Sequence, residues 1–238
     1  IKDLLNVTEI NPNLIDDVCM GNVLMPGSGA LSVRQGCLMA GLSDSTSVYV
    51  VNRQCSSGLQ AIANVAQSIK CGSVDIGIAG GMEMMSIYNM MEDIPKSFSK
   101  SMNQVAMDCM LPMGTTSENV ANRFGIKRVD QDNYALQSNR LALDAIAKNE
   151  FSEQIVGVGA TDRDIGPRNT TIDKLSKLSP VFDKNGSSTA GNSSQISDGA
   201  SISLLMRRSM AKSLNLPIMG TFVDFVTVGV EPKIMGIG

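Results

Sequence analysis

The sequence predicts an α/β fold built on a mostly parallel sheet that helices cover. A short apolar, β-rich run at residues 48–51 is followed by a polar turn, Asn52-Arg53-Gln54. Apolar residues then recur at helical spacing, at residues 59, 62, 63, 66 and 69. A second strand-like run, residues 74–79, follows this helix and ends at a pair of glycines. Strand, helix and strand joined by short links form the βαβ pattern, which is typical of parallel, covered sheets.

The segments before this pattern fit the same fold class. A loop rich in Gly and Pro at residues 21–29 separates a short strand, which begins within residues 17–19, from a helix predicted at residues 30–40. Residues 1–5 are predicted to end a helix, and residues 11–13 form a turn. The apolar positions of the helix at residues 30–40 are Leu31, Val33, Cys37 and Leu38.

The composition and the apolar periodicity of the sequence change after residue 86. Methionines such as Met90, Met91 and Met113 are dense between residues 86 and 114, and the apolar periodicity is poor, which is typical of an adaptable packing region. Regular patterns return further along the chain. They predict helices at residues 116–124, at residues 130–148 with Asp130 as the cap, and within residues 170–182. Residues 200–206 form an apolar segment, and residues 218–226 are strand-like.

Cys55 falls at the turn between the predicted strand and the first turn of the predicted helix. The unpaired N–H groups and the helix dipole at such a position favour a thiolate, the form of cysteine that attacks carbonyl carbons. The small residues that follow, Ser56, Ser57 and Gly58, would let a substrate approach the sulfur. The alternative is a structural cysteine, since most free cysteines are buried. The residues alone leave both interpretations open.

Composition argues against several function classes. A net charge of −3 and a charged fraction of 18% give no electrostatic reason to expect a nucleic acid or an anionic membrane as partner. No apolar run approaches the length of a membrane span, and no targeting leader is visible. Five cysteines without zinc-type spacing favour free thiols over a metal site or a disulfide framework. Gly77, Gly80 and Gly81 match no phosphate-loop spacing and predict close backbone packing below the Cys55 turn.

Four ordered stretches of the sequence resemble one known family. They read NRQCSSGLQA with DIGIAGGMEMMS, LPMGTTSENVANRFGI, GSSTAGNSSQISDGAS and VGVEPKIMGIG. These stretches resemble the thiolases, and within them the peroxisomal type. The resemblance implies the thiolase α/β fold of layered sheets and helices, with a loop domain inserted in the first of two similar halves. It implies an N-terminal thiolase domain at residues 1–86 and a loop domain covering acyl-CoA at residues 87–185. Residues 186–238 are then a return to the N-terminal domain and the start of a truncated C-terminal thiolase domain.

The resemblance also implies a reaction, the cleavage of a 3-ketoacyl-CoA by coenzyme A. Coenzyme A is then a substrate, and no cofactor or metal is implied. Cys55 is the implied nucleophile and carries the shortened acyl group between the two half-reactions. The residues implied to line the acyl-CoA site are Ser194, Phe182, Met113, Ala190, Ser193 and Arg168. Without the family match, Phe182 and Met113 would be interpreted as core residues, and the Ser/Gly-rich loop at residues 182–194 as a solvated connection.

The chain departs from the family in its acid–base groups. It contains no histidine, and none of the three family motifs expected to supply the base, the acid and the oxyanion site is identified: Asn-Glu-Ala-Phe, Gly-His-Pro and a reactive Cys-x-Gly. The sequence is therefore interpreted as a fragment or a shortened form. The segment at residues 150–168 is shorter than is usual in the family, which indicates a deletion next to Arg168.

Three functions stay open on the sequence alone. The first is a 3-ketoacyl-CoA thiolase of fatty-acid β-oxidation, and the second is a truncated, non-catalytic relative that binds acyl-CoA or a full-length subunit. The third is a condensing enzyme of the ketosynthase type, against which the Gln-Cys-Ser-Ser-Gly context argues. The resemblance implies a homodimer and a peroxisomal location, with a mitochondrial location as the alternative.

Overall fold

The computed structural model describes residues 1–88 and 102–238, so Met90 and Met91 of the methionine-rich stretch lie outside the described residues. The chain divides into two compact units. The first comprises Ile1–Ile94 and Ile196–Val226, and the second comprises Pro95–Gln195 and Thr227–Gly238. Within the described ranges, no helix combines the length and the apolar character needed to cross a membrane.

A four-stranded sheet forms the centre of the first unit. Its strands are β1 (Asp17–Gly21), β2 (Ser47–Val51), β3 (Ile76–Met84) and β4 (Asp198–Met206), in the spatial order β2-β1-β3-β4. β1 pairs in parallel with both β2 and β3, whereas β3 and β4 are antiparallel. The predicted mostly parallel sheet is confirmed, with one antiparallel strand at its edge.

Helices cover both faces of this sheet. The helices of the first unit are α1 (Lys2–Thr8), α2 (Ala30–Met39), α3 (Ser57–Cys71) and, late in the chain, α8 (Arg208–Ser213). Successive side chains of β1 point to opposite faces. Val18 therefore packs in one apolar cluster with Val33 of α2, while Cys19 packs in the other with Val65 of α3. The core lies on both sides of β1, the second strand in the sheet.

Several details of the predicted first unit are wrong. Of the four predicted apolar positions of α2, Leu31 and Leu38 are exposed and only Val33 and Cys37 are buried. β3 continues through its glycines to Met84 instead of ending at them, because the glycines pair with β4. Leu59 is exposed, since α3 turns its small residues and Val65 toward the sheet. Residues 218–226 form no strand and pair with none of the four strands of the described sheet.

The second unit is helical and has a small apolar interior. Its elements are α4 (Gln104–Asp108), α5 (Met113–Phe124), α6 (Arg128–Ala147), α7 (Ile172–Ser176) and a final 3₁₀ segment, Pro232–Ile237. Its buried apolar side chains include Ala121, Leu175 and Ile234, but Glu118 and Asp132 are buried as well. Buried charged groups are stable only when they are hydrogen-bonded, so polar contacts organise this unit.

The ends of the second unit's main helices differ in part from the prediction. α5 begins three residues before the expected start, at Met113, and α6 begins at Arg128. Asp130 is the third residue of α6 and not its N-cap, which is Lys127, but its carboxylate accepts a hydrogen bond from the Lys127 N–H at 3.3 Å. Tyr134 and Leu141 of α6 are exposed, so the apolar side chains of this helix do not all face the interior of the unit.

Candidate functional site

Cys55 lies exposed in the turn that joins β2 to α3, one residue before the N-cap Ser56. Its predicted position between strand and helix is confirmed, and the alternative of a buried structural cysteine is wrong. The preceding residue, Gln54, has a φ of 50°. This left-handed conformation costs a non-glycine residue roughly 1–2 kcal/mol, and strain of this kind clusters at functional sites.

Hydrogen bonds within the turn hold this conformation in place. The Ser57 hydroxyl accepts a hydrogen bond from the Arg53 N–H at 2.9 Å and donates one to the Gln54 carbonyl at 2.5 Å. The Asn52 side-chain oxygen accepts a hydrogen bond from the Gln54 N–H at 3.0 Å. Because the N–H and the carbonyl of Gln54 are both hydrogen-bonded, the position of Cys55 is fixed before any ligand binds.

Glycines let the first turn of α3 sit directly on the ends of the strands. A Cβ on Gly21, at the end of β1, would overlap the backbone carbonyl of Ser57. A Cβ on Gly81 would lie 3.4 Å from the Cα of Gly58. The predicted close backbone packing below the Cys55 turn is therefore confirmed for Gly81, whereas Gly80 packs against β4.

The buried cysteines have no comparable access. Cys19 and Cys37 are completely buried, and this burial raises the pKa of both thiols. The expectation that the chain lacks a Cys-x-Gly triplet is wrong, since Cys19-Met20-Gly21 has that spacing. Because Cys19 packs inside the sheet, this triplet is structural and does not supply a second reactive cysteine.

In the second unit, the Ser/Gly-rich loop at residues 186–194 is built around a buried carboxylate. Glu118 of α5 accepts hydrogen bonds from the Ser187 N–H at 2.9 Å and the Ser188 N–H at 2.7 Å. Burial alone would raise the pKa of Glu118, but these N–H donors outweigh it and lower the pKa below its ordinary value. The alternative of a solvated connection is wrong for this part of the loop.

A second buried carboxylate holds the other half of the loop. Asp132 of α6 accepts hydrogen bonds from the Asn192 side chain at 2.9 Å and from the Arg128 Nε at 2.7 Å. The Asn192 side-chain oxygen in turn accepts the Thr189 N–H at 2.7 Å, and Arg128 donates to the Leu175 carbonyl at 2.6 Å. The loop is thereby attached to both α6 and α7.

This network leaves the predicted ligand residues on the surface of the second unit. Ala190, Ser193 and Ser194 are exposed beside the buried Ser188 and Thr189. Two anchored carboxylates thus present a short run of small and hydroxyl-bearing residues to solvent in a fixed conformation. Such a surface suits the polar arm of a ligand, because little entropy is lost when a rigid loop binds.

Phe182 and Met113 also lie at the surface of the second unit. Their side chains are 48% and 42% exposed, so their interpretation as ordinary core residues is wrong. The Phe182 ring packs directly on Gly114, where a Cβ would overlap it. Arg168 is exposed too, and its N–H donates to the Asn139 side-chain oxygen at 2.8 Å. All six predicted ligand residues belong to the second unit, and Cys55 belongs to the first.

A comparison with protein families supplies the decisive observation. The family model described as thiolase, N-terminal domain, matches residues 1–209. The chain belongs to the thiolase family. It is 45% identical to the peroxisomal 3-ketoacyl-CoA thiolase A of Rattus norvegicus over 99% of this chain and 57% of that protein. It is 44% identical to the peroxisomal 3-ketoacyl-CoA thiolase of Homo sapiens over 99% of this chain and 59% of that protein. The chain thus spans somewhat more than half the length of these thiolases.

Solved structures of the family agree with the fold of the chain. The dimeric peroxisomal thiolase of Saccharomyces cerevisiae matches with a TM-score of 0.90 and 43% identity, over 99% of this chain and 62% of that one. The acetyl-CoA acetyltransferase of Bacillus anthracis matches with a TM-score of 0.84 and 31% identity, over 100% of this chain and 66% of that one. The layered α/β thiolase fold is therefore confirmed.

Sequence reasoning missed the carboxylates that organise the thiolase chain's loop. Glu118 and Asp132 fall inside the helices predicted at residues 116–124 and 130–148, and the sequence analysis assigns no role to either carboxylate. One signal for Glu118 was present: it falls at helical spacing between two small residues that are also buried, Gly114 and Ala121. A charged residue on the inward stripe of a helix predicts a buried hydrogen-bonding partner.

Proposed function

We propose that this thiolase-family chain carries the nucleophile and the coenzyme A-binding residues of a 3-ketoacyl-CoA thiolase. The observation that carries the proposal is the exposed Cys55 at a strained, hydrogen-bonded turn, in a chain whose relatives are named 3-ketoacyl-CoA thiolases. The first unit corresponds to the N-terminal thiolase domain and the second to the loop domain. Arg168 stays assigned to the loop domain, although the segment before it is short.

The proposed reaction proceeds in two half-reactions. The Cys55 thiolate adds to the 3-keto carbon, and the bond between C2 and C3 breaks. The bonding electrons pass to the enolate of acetyl-CoA, which takes a proton and leaves, while the shortened acyl group stays on Sγ. The thiolate of a free coenzyme A then attacks this thioester and releases Cys55. The transient negative charge on oxygen in each step requires an oxyanion site.

The proposal gives the chain a limited share of this chemistry. It assigns Cys55 as the nucleophile, but no acid, base or oxyanion side chain, because the sequence has no histidine and lacks the family's Asn-Glu-Ala-Phe and Gly-His-Pro motifs. The preformed loop supports binding of the pantetheine arm by Ser194, with Ala190 and Ser193 beside it. Phe182 and Met113 offer apolar contacts, and the guanidinium of Arg168 suits the phosphates of the adenine end.

Two further properties belong to the proposal. The yeast structure is described as dimeric, and the rat, human and yeast relatives are named peroxisomal. We infer a homodimer and a peroxisomal location for the protein by this similarity. A sedimentation-equilibrium mass equal to one chain at micromolar concentration would contradict the dimer, and reporter fusions that colocalise with mitochondria would contradict the location.

The alternative function is a non-catalytic thiolase relative that binds acyl-CoA or a full-length subunit. The absence of histidine favours it, since cysteine acyl transfer usually needs a neighbouring base. Both functions require acyl-CoA or protein binding, but only the thiolase function requires covalent chemistry at Cys55. Binding and chemistry therefore need separate measurements.

Substrate protection measures binding next to Cys55. A saturating 3-ketoacyl-CoA, at about ten times its dissociation constant, is expected to slow the alkylation of Cys55 by iodoacetamide roughly tenfold. Cys71 and Cys109 are also exposed and provide controls in the same sample, with rates that should not change. Mass spectrometry of the digested protein gives all three rates. Equal Cys55 rates with and without the ligand would contradict acyl-CoA binding at this residue.

A further inference from the structure

A hydrogen-bonded network at the ends of the strands reaches the Cys55 turn through Asn52 and has no part in the proposed mechanism. It begins at Glu83, near the end of β3. The Glu83 carboxylate accepts hydrogen bonds from the Val23 N–H at 3.1 Å and the Leu24 N–H at 3.4 Å. It also accepts one from the Asn22 side chain at 3.2 Å. A single carboxylate thus holds the loop that follows β1.

Asn22 attaches the same loop to two strands. It is almost completely buried, and its amide nitrogen donates to the Met82 carbonyl of β3 at 2.7 Å. Its backbone N–H donates to the Val51 carbonyl of β2 at 3.2 Å, and its side-chain oxygen accepts the Met25 N–H at 2.9 Å. Every polar group of this side chain is used, so the loop after β1 has one conformation relative to the sheet.

Asn52 connects this loop to the residue that precedes the nucleophile. Its side-chain nitrogen donates to the Val23 carbonyl at 3.3 Å, and its side-chain oxygen accepts the Gln54 N–H at 3.0 Å. Gln54 is the residue with the left-handed φ of 50°. The hydrogen bonds that start at Glu83 therefore converge on the peptide group whose conformation decides where Cys55 points.

We propose that Glu83 and Asn52 are positioning residues for Cys55. Glu83 fixes Val23, Val23 fixes the Asn52 side chain, and Asn52 offsets the cost of the strained Gln54 conformation. The inference rests on the proposed role of Cys55 as nucleophile. Without this chain of contacts, Gln54 relaxes toward an ordinary φ and the sulfur leaves its reactive position.

The test compares cysteine alkylation rates in variants of the 238-residue chain. Asn52→Ala and Glu83→Gln are expected to lower the Cys55 rate, relative to the Cys71 rate of the same sample, by at least about tenfold. Asn52→Asp keeps an oxygen that accepts the Gln54 N–H but cannot donate to the Val23 carbonyl, so it should rescue the ratio in part, to a value between those of Asn52→Ala and the wild type. This rescue separates positioning from a general loss of stability.

Asp16→Asn is the matched control. Asp16 also accepts two backbone hydrogen bonds, from the N–H groups of Asp75 at 2.8 Å and Ile76 at 3.0 Å, but at the opposite ends of the strands. It should lower the melting temperature and leave the ratio of the Cys55 and Cys71 rates unchanged. An equal loss of the ratio in Asp16→Asn would overturn the inference.

The remaining outcomes separate this inference from the proposed function. A fast Cys55 in the wild type together with wild-type ratios in Asn52→Ala and Glu83→Gln would overturn the positioning role alone. A wild-type Cys55 no faster than Cys71 and Cys109 would overturn the nucleophile assignment and the positioning role with it. Asn52 is exposed, so its two variants decide the question if Glu83→Gln does not fold.

Discussion

Replacing Glu118 with Gln is expected to weaken coenzyme A binding by this chain roughly thirtyfold, while the chain stays folded. The carboxylate accepts the N–H groups of Ser187 and Ser188 with both oxygens. In Glu118→Gln one of these oxygens becomes an NH₂ group, which cannot accept a hydrogen bond and faces N–H donors. Loss of a buried hydrogen bond to a charged group costs about 1.5–3 kcal/mol, and about 2 kcal/mol corresponds to thirtyfold in affinity.

Isothermal titration of coenzyme A into the two proteins measures this effect. Glu150→Gln is the matched control, because Glu150 lies in the same unit but is exposed. Among the described residues its carboxylate forms one ion pair, with the Lys148 ammonium at 3.9 Å. That variant should bind coenzyme A with the wild-type dissociation constant. A folded Glu118→Gln with wild-type affinity would show that the loop at residues 186–194 does not take part in binding.

Replacing Gly80 with Ala is expected to have the largest effect on stability. Gly80 lies in the interior of β3 opposite Ile202 of β4, and an added Cβ would overlap the Ser201 carbonyl oxygen and lie 2.7 Å from the Ile202 Cα. Both obstacles are backbone atoms, so no side-chain rotation relieves the overlap. The antiparallel pairing of β3 and β4 has to open, and the free energy of unfolding should fall by more than about 3 kcal/mol.

Gly199 of β4 gives the matched control for this substitution. It belongs to the same strand pair, and a Cβ added there meets no atom within 4 Å. Gly199→Ala should change the free energy of unfolding by less than about 0.5 kcal/mol, as measured by urea denaturation. A Gly80→Ala protein as stable as Gly199→Ala would contradict the close packing of β3 on β4.

The sequence predicted the parts of the molecule that depend on near neighbours. The turn at Cys55 follows from an apolar run, a polar triplet and helical spacing within about twenty residues, and the structure has strand, turn and helix in those places. The continuation of β3 was not predicted, because glycines read along the chain indicate a turn. They act as strand residues here only because β4, more than a hundred residues later, pairs with them.

The polar residues that hold the loops of both units in place could not be predicted from the sequence, because their partners also lie far away along the chain. Glu118 bonds to Ser187 and Ser188, about seventy residues away, and Glu83 bonds to a loop sixty residues before it. No periodicity in a single sequence reports such pairs. The family resemblance named residues that line the proposed acyl-CoA site, and only the three-dimensional structure identifies the residues that hold them in place.

The intact mass of the chain after incubation with a 3-ketoacyl-CoA tests the nucleophile assignment most directly. The wild-type chain and Cys71→Ala are expected to gain the mass of the shortened acyl group, and Cys55→Ala is expected to gain none. The adduct should disappear when coenzyme A is added. An adduct that persists in Cys55→Ala would contradict the assignment of the nucleophile, and a folded, acyl-CoA-binding wild-type chain without any adduct would favour the non-catalytic relative.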